Sequence, residues 1–134
     1  GVRVAPSRFG YKSLGIGSAN ASKAQHCRAE FFAQGIGWVP VDPPDVRKVV
    51  LEEPPGNLAV TDPQVVAMRK KLFGAWEMNW LAYNTAHDVK LPNSNGPRIP
   101  YLMYVNAETG GKVLDQLDPD SVKYSIAVTQ APKA

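Results

Sequence analysis

Proline placement constrains this chain more than any other feature of its sequence. Six of the twelve prolines lie within residues 40–63, where Pro43-Pro44 and Pro54-Pro55 form two adjacent pairs. Because proline lacks a backbone donor and has a fixed φ, one continuous helix cannot run through this stretch. We therefore predict an extended, proline-rich connector over residues 40–63, with a short strand in VRKVVLEE between the two pairs.

The longest periodic pattern follows this connector. Asp62 and Pro63 are typical of a helix N-terminus, with an N-cap and a proline at the first helical position. The apolar residues that follow recur at spacings of three and four, which predicts one long helix over residues 62–87. The members of this stripe are Val65, Met68, Leu72, Trp76, Trp80 and Tyr83.

Shorter elements are predicted on either side. Ser22 and Gln25 fit a capping box, which favours a short helix over residues 22–34. The segment YLMYVNAETGGKVLDQL predicts two strands around a Gly110-Gly111 turn, and SVKYSIAVTQ alternates as a strand does. The predicted fold is α+β: a small antiparallel sheet of the C-terminal strands, packed by one long and one short helix. Residues 22–134 form the single predicted domain, which includes the connector.

Positive charge is concentrated at the start of the chain, although the formal net charge is only +3. Residues 1–28 contain five basic and no acidic side chains, with aromatic rings between them. Such an uneven charge distribution favours an acidic partner for this N-terminal segment. We predict an extended basic arm over residues 1–21, and an interface made by Arg3, Arg8, Phe9, Tyr11, Lys12, Trp76 and Trp80.

Signatures of catalysis are weak in this sequence. His26 and Cys27 are neighbours, and on the predicted helix their side chains would point about 100° apart, so they cannot form a nucleophile–base pair. His87 is expected to interact with the C-terminal end of the long helix. The single cysteine excludes an intramolecular disulfide or a cysteine-based metal cluster built from this chain alone. We predict no catalytic residue, no cofactor and no metal.

These observations favour a non-enzymatic accessory or linker subunit of a large multiprotein assembly. As a structural subunit of a macromolecular complex, it would contact neighbouring proteins through its arm and its proline-rich segment. The alternative is an RNA-contacting protein of the ribosomal type, because Arg and Lys bind phosphates while aromatic rings stack on bases. A third hypothesis is a small enzyme or ligand-binding domain with a pocket near His87 and Tyr101. We expect an intracellular protein, with an organelle as a candidate compartment. Gly1 would then be the start of a mature chain after removal of a presequence. No apolar stretch reaches the length of a membrane span.

Overall fold

The computed structural model describes residues 1–118 and 120–130 of this small mixed α/β protein. Residues 119 and 131–134, which belong to the predicted domain 22–134, lie outside the described part. Two helices and several short antiparallel strand pairs make up the regular structure. In chain order the elements are β1 (Val2–Arg3), a 3-10 turn (Lys12–Leu14), β2 (Ala29–Ala33), β3 (Gly37–Val41), α1 (Pro43–Glu52), α2 (Pro63–Lys71), β4 (Trp80–Leu81), β5 (His87–Val89), β6 (Ile99–Tyr101), β7 (Glu108–Thr109) and β8 (Lys112–Val113).

The strands form separate two-stranded pairs, all of them antiparallel. β1 pairs with β4, β2 with β3, β5 with β6 and β7 with β8. The predicted Gly110-Gly111 turn is confirmed, since it joins β7 to β8 with positive φ at both glycines. The predicted antiparallel pairing is therefore confirmed. The predicted single sheet of C-terminal strands is wrong, because the described strands form separate pairs.

The longest strand pair replaces the helix predicted over residues 22–34. β2 and β3 run in register from Ala29 opposite Val41 to Ala33 opposite Gly37. Gly35 and Gly37 adopt φ values of 80° and 102°, which are accessible to glycine and let the chain reverse within a few residues. The capping box is also wrong, because the Ser22 hydroxyl accepts a hydrogen bond from Ile126 N–H in a distant segment.

Helix α1 occupies the segment that was predicted as a proline-rich connector with a short strand. Asp42 is its N-cap, and Pro43 and Pro44 stand at its first positions, where a missing N–H costs no helical hydrogen bond. The helix ends at Glu52, before the second proline pair, because the residue preceding a proline disfavours helical geometry. The prolines therefore delimit a helix here and do not exclude one.

Helix α2 begins where the sequence predicts and ends much earlier than residue 87. The Asp62 side chain accepts a hydrogen bond from Gln64 N–H at 2.8 Å, so the predicted N-cap is confirmed. The helix closes at Leu72, and Gly74 follows with a φ of 104°. Gly74 N–H then donates to Pro40 O at 2.8 Å, so the chain leaves the helix to follow β3. The two helices are nearly equal in length, at ten and nine residues.

Two groups of buried apolar side chains hold these elements together. The larger group joins both helices to the 3-10 turn, and the smaller group joins β1 to the turn near residue 22. Residues 1–21, predicted as an arm, contribute to both groups, so this segment is packed against the rest of the protein. The larger group contains Leu14, Val49, Val50, Val65, Met68 and Leu72, and the smaller contains Val2, Ala21 and Ala24.

Residues 121–130 show the predicted alternation of buried and exposed side chains, but they do not form the predicted strand. Val122 is buried, and Tyr124, Ile126 and Val128 are partly buried, while the residues between them are exposed. The backbone pairs only by an isolated bridge between Asn20 and Ala127. Among the described residues, neither helix is long and apolar enough to cross a membrane.

Candidate functional site

The β2–β3 hairpin brings His26 and Asp42 together. His26 lies three residues before β2, and Asp42 follows β3 directly. Because Ala29 stands opposite Val41, the two flanking residues meet at the base of the hairpin. His26 Nε2 lies 3.0 Å from both Oδ1 and Oδ2 of Asp42. Both side chains are buried, with Asp42 fully removed from solvent.

The start of helix α1 fixes the Asp42 carboxylate. Oδ1 accepts a hydrogen bond from Asp45 N–H at 3.0 Å, which is the N-cap interaction. The backbone N–H of Asp42 donates to Leu72 O at 3.1 Å, tying it to the end of α2. The side chain that faces His26 is therefore held by both helices.

A second carboxylate and two arginines complete the cluster. Asp45 Oδ1 lies 3.4 Å from His26 Nε2 and is paired with Arg3. Arg28 Nε lies 3.1 Å from Asp42 Oδ2. Burial raises the pKa of Asp45, and the neighbouring Asp42 carboxylate raises it further. Burial likewise lowers the pKa of Arg28, while Asp42 and Asp45 act in the opposite direction. Two acids and two guanidinium groups thus surround one imidazole.

Arg28 is held by neutral partners as well as by Asp42. Its guanidinium donates to Glu77 O and lies 3.4 Å from Asn79 Oδ1. The face of the Trp80 ring lies 4.9 Å from the guanidinium carbon, which is cation–π geometry. These contacts place the charge independently of the carboxylate.

The His26 backbone is fixed as firmly as its ring. Its N–H donates to Gly1 O at 3.0 Å, and its carbonyl accepts from Trp80 Nε1 at 3.2 Å. Nε2 faces the Asp42 carboxylate, whereas Nδ1 makes no hydrogen bond to the described residues. Nδ1 is also not one of the buried polar side-chain atoms that lack a hydrogen-bond partner. An Nε2–H donated to a carboxylate leaves the Nδ1 lone pair available, as a general base requires.

The same three side chains also have the donor types of a metal site. Ligand atoms of His26, Asp42 and Asp45 lie within 4.8 Å of one another. However, Arg3 and Arg28 already supply two positive charges to the two carboxylates. A divalent cation would meet direct repulsion from these guanidinium groups, so the cluster suits an ion-paired histidine better than a metal.

The predicted interface residues are scattered over several environments. Arg3 is buried in its ion pair, and Arg8 and Lys12 are exposed. Phe9 and Tyr11 are partly buried against the larger core group, with Lys71 Nζ 4.0 Å from the Phe9 ring centroid.

Trp76 and Trp80 do not lie on a helical stripe. Both are partly buried, and their rings meet edge to face at 6.0 Å. Trp76 Nε1 is shared between the carbonyls of Ala29 and Val41, at 3.2 and 3.1 Å. Each indole thus binds the backbone near the base of the hairpin.

The other residues considered for chemistry lie outside the cluster's core. Cys27 is half-buried, and burial raises the pKa of its thiol, which is the opposite of nucleophile activation. His87 is exposed in β5 opposite Tyr101, so its predicted position at a helix end is wrong. That pairing does bring together the two residues of the third hypothesis.

The His26–Asp42 pair was missed by sequence reasoning, although a signal for it exists. The runs AEFFA and GWVPV are each rich in aromatic and β-branched residues and are separated by a short glycine-containing turn. That arrangement is typical of a hairpin, and a hairpin places the residues before its first strand near those after its second.

Comparison with known proteins gives one informative similarity. The chain is 46% identical over 109 residues to an uncharacterized protein of Haemophilus influenzae. The similar region covers 81% of this chain, and the chain spans about 29% of that protein's length. No family model matches the chain, and no solved structure matches it.

Proposed function

We propose that this chain supplies the histidine–aspartate half of an acyl-transfer centre acting on amide or ester bonds. The observation that carries the proposal is the contact of His26 Nε2 with both Asp42 oxygens at 3.0 Å, which leaves Nδ1 without a hydrogen-bond partner among the described residues. A carboxylate in this position orients the imidazole and stabilises the imidazolium formed during catalysis.

In the reaction, Nδ1 removes the proton of a thiol or hydroxyl nucleophile. The nucleophile's sulfur or oxygen forms a bond to the carbonyl carbon, and the resulting tetrahedral intermediate expels the amine or alcohol, which takes the proton from the imidazolium. Water or a second amine then attacks the acyl group by the same route. The balance of atoms needs no redox partner.

We infer that the nucleophile is a thiol or hydroxyl other than that of Cys27. Cys27 is a poor candidate because burial raises the pKa of its thiol. Its neighbour His26 turns its ring toward Asp42.

An added small thiol provides a direct test. Ethanethiol and p-nitrophenyl acetate are incubated with the protein, and nitrophenolate release is followed. A general base contributes 10²–10⁴-fold in an organised site, so a freely diffusing thiol should gain about tenfold from His26. His26→Gln should abolish this gain, and His87→Gln, at the exposed histidine, should retain it. An equal rate in His26→Gln and the parent would overturn the proposal.

The second candidate is the protein-contacting accessory subunit, and the hairpin tip supports it. Phe32, Ile36 and Trp38 are 63%, 80% and 67% exposed, which is unusual for large apolar side chains clustered within seven residues. A native pull-down should recover a fixed set of proteins that is lost when Phe32 and Trp38 become serine. Partners lost on nuclease treatment would instead support the RNA-contacting alternative.

A further inference from the structure

The cluster around His26 contains more charge than a histidine–aspartate pair needs. Resting on the proposed role of His26 as a base, we propose that Arg3 and Arg28 are positioning residues that balance the charge of the Asp42 and Asp45 carboxylates and so leave the imidazole able to accept a proton from the nucleophile. Neither arginine is required to touch the substrate or the nucleophile.

The two carboxylates would otherwise favour the imidazolium. Asp42 and Asp45 approach Nε2 at 3.0 and 3.4 Å. An opposite charge within about 4–6 Å of an ionisable group favours its charged form and typically shifts its pKa by about one to three units. A histidine that is already protonated has no lone pair with which to receive the nucleophile's proton. Two nearby acids without counterions would therefore work against general-base catalysis at neutral pH.

The arginines are suited to cancel this effect. Arg28 Nε lies 3.1 Å from Asp42, and the Arg3 guanidinium contacts Asp45 directly. The side chains of Arg28 and Arg3 are only 1% and 4% exposed, so salt screens their charge little. Arginine also stays protonated throughout the physiological range, so the compensation does not vary with pH.

The Arg28 side chain and the Arg3 backbone are anchored by contacts that do not depend on the acids. Arg28 binds Glu77 O and stacks on Trp80. Arg3 lies in β1 opposite Trp80, and its backbone N–H donates to Ala24 O at 2.9 Å. The Arg28 guanidinium is therefore fixed in advance, and for Arg3 it is the backbone that is fixed.

The remaining charged groups around His26 are accounted for. The Glu77 carboxylate accepts hydrogen bonds from the Ser7 hydroxyl and from two backbone N–H groups, and its negative charge acts on Arg28. The Gly1 amino group lies 3.2 Å from His26 O, on the backbone side. The Cys27 thiol has its pKa raised by burial and is uncharged at neutral pH. Within the described part of the chain, the ion pairs around the imidazole are those made by the two acids and the two arginines.

Histidine titration followed by NMR tests the proposal without any assay of activity. The protein has two histidines, so the spectrum of His87→Gln assigns the His26 signal. In Arg28→Met, the titration midpoint of His26 should rise by about one pH unit, a tenfold gain in proton affinity. Arg28→Lys, which retains a positive charge, should show less than half of that rise.

Asp45→Asn supplies a change of opposite sign. Removing this acid leaves the arginines in excess, so the His26 midpoint should fall, while the His87 signal should stay unchanged in every variant. Circular dichroism confirms that each variant is folded. If Arg28→Met does not fold, Asp45→Asn decides the matter.

The outcomes separate the two proposals. A His26 midpoint that is unchanged in folded Arg28→Met, or that fails to fall in Asp45→Asn, would overturn the role of the arginines. The role of His26 as a base would then still be tested separately by the thiol acyl-transfer experiment. Suppose instead that the His26 midpoints shift as expected but the thiol reaction is equally fast in His26→Gln and the parent. That result would overturn the acyl-transfer function alone.

Discussion

The imidazole of His26 faces both carboxylate oxygens of Asp42 at 3.0 Å, although sixteen positions separate the two residues in the chain. The same carboxylate caps helix α1, so one side chain both starts a helix and orients a ring. These two roles can be separated, because asparagine is as good an N-cap as aspartate but carries no charge.

Asp42→Asn should therefore retain α1 and lower the titration midpoint of His26, since the nearest anion is lost. The matched control is Asp62→Asn, which alters the partly buried N-cap of α2. NMR titration of His26 and far-ultraviolet circular dichroism measure the two effects. Equal shifts in the two variants would show that Asp42 does not act on His26 in particular.

Met68→Ala should lower the free energy of unfolding by about 2–5 kcal/mol, because it opens a cavity between the helices. Met68 is 1% exposed within the larger core group. Met78 is 73% exposed, so Met78→Ala should cost no more than about 0.5 kcal/mol. Urea denaturation of both variants compares the two sites, and a similar loss in each would contradict the packing described.

Glu53 should stabilise the fold in a pH-dependent way. Burial alone would raise the pKa of Glu53, but hydrogen bonds from the Ser13 N–H and hydroxyl and from Lys12 N–H bring it below its usual value. A carboxylate with a lowered pKa in the folded state stabilises the protein above its unfolded pKa, and this stabilisation is lost as the pH falls through the folded pKa.

Glu53→Gln should therefore reduce the free energy of unfolding by about 1.5–3 kcal/mol at pH 7, the usual value of hydrogen bonds to a charged group. The difference from the parent should shrink as the pH falls below about 4.3, the ordinary glutamate value. Glu52→Gln, which breaks only an exposed pair with Lys48, should change little at either pH. Denaturation curves at pH 7 and pH 3 provide the comparison.

The hairpin turn should depend on glycine at residue 37. Its φ of 102° is rarely adopted by other residues, although a Cβ there would meet no other atom. Gly37→Ala should therefore cost about 1–3 kcal/mol through backbone strain alone. Gly17 also has open space and no positive φ, so Gly17→Ala should be neutral or slightly stabilising. Thermal unfolding of the pair tests this, and equal midpoints would be inconsistent with strain at the turn.

The parts of the fold that sequence predicted are those set by local chemistry. The Asp62-Pro63 start of α2 and the burial of Val65, Met68 and Leu72 follow from capping and helical period. The same Asp-Pro signature at residue 42 was interpreted as a connector, because the proline pair was taken as excluding helix. The continuation of α2 toward residue 87 failed because Gly74 allows the chain to turn onto β3.

The candidate site was out of reach for a different reason. A helix over residues 22–34 would have separated His26 from Asp42, so the error in secondary structure hid the pair. Only recognition of the glycine turn at residues 35–37 would have placed them together. The Arg3–Asp45 contact spans forty-two positions and depends on tertiary packing, which no local pattern reports.

The hairpin also sets the order in which the cluster can be assembled during folding. The His26–Asp42 contact closes a loop of sixteen positions, whereas Arg3–Asp45 and Arg28–Asn79 close loops of forty-two and fifty-one. Hairpins form within about 1–10 μs, and contacts between distant positions follow more slowly. The imidazole and the Arg28 guanidinium therefore meet Asp42 as the hairpin forms, and Arg3 reaches Asp45 with the later, long-range closure of the chain.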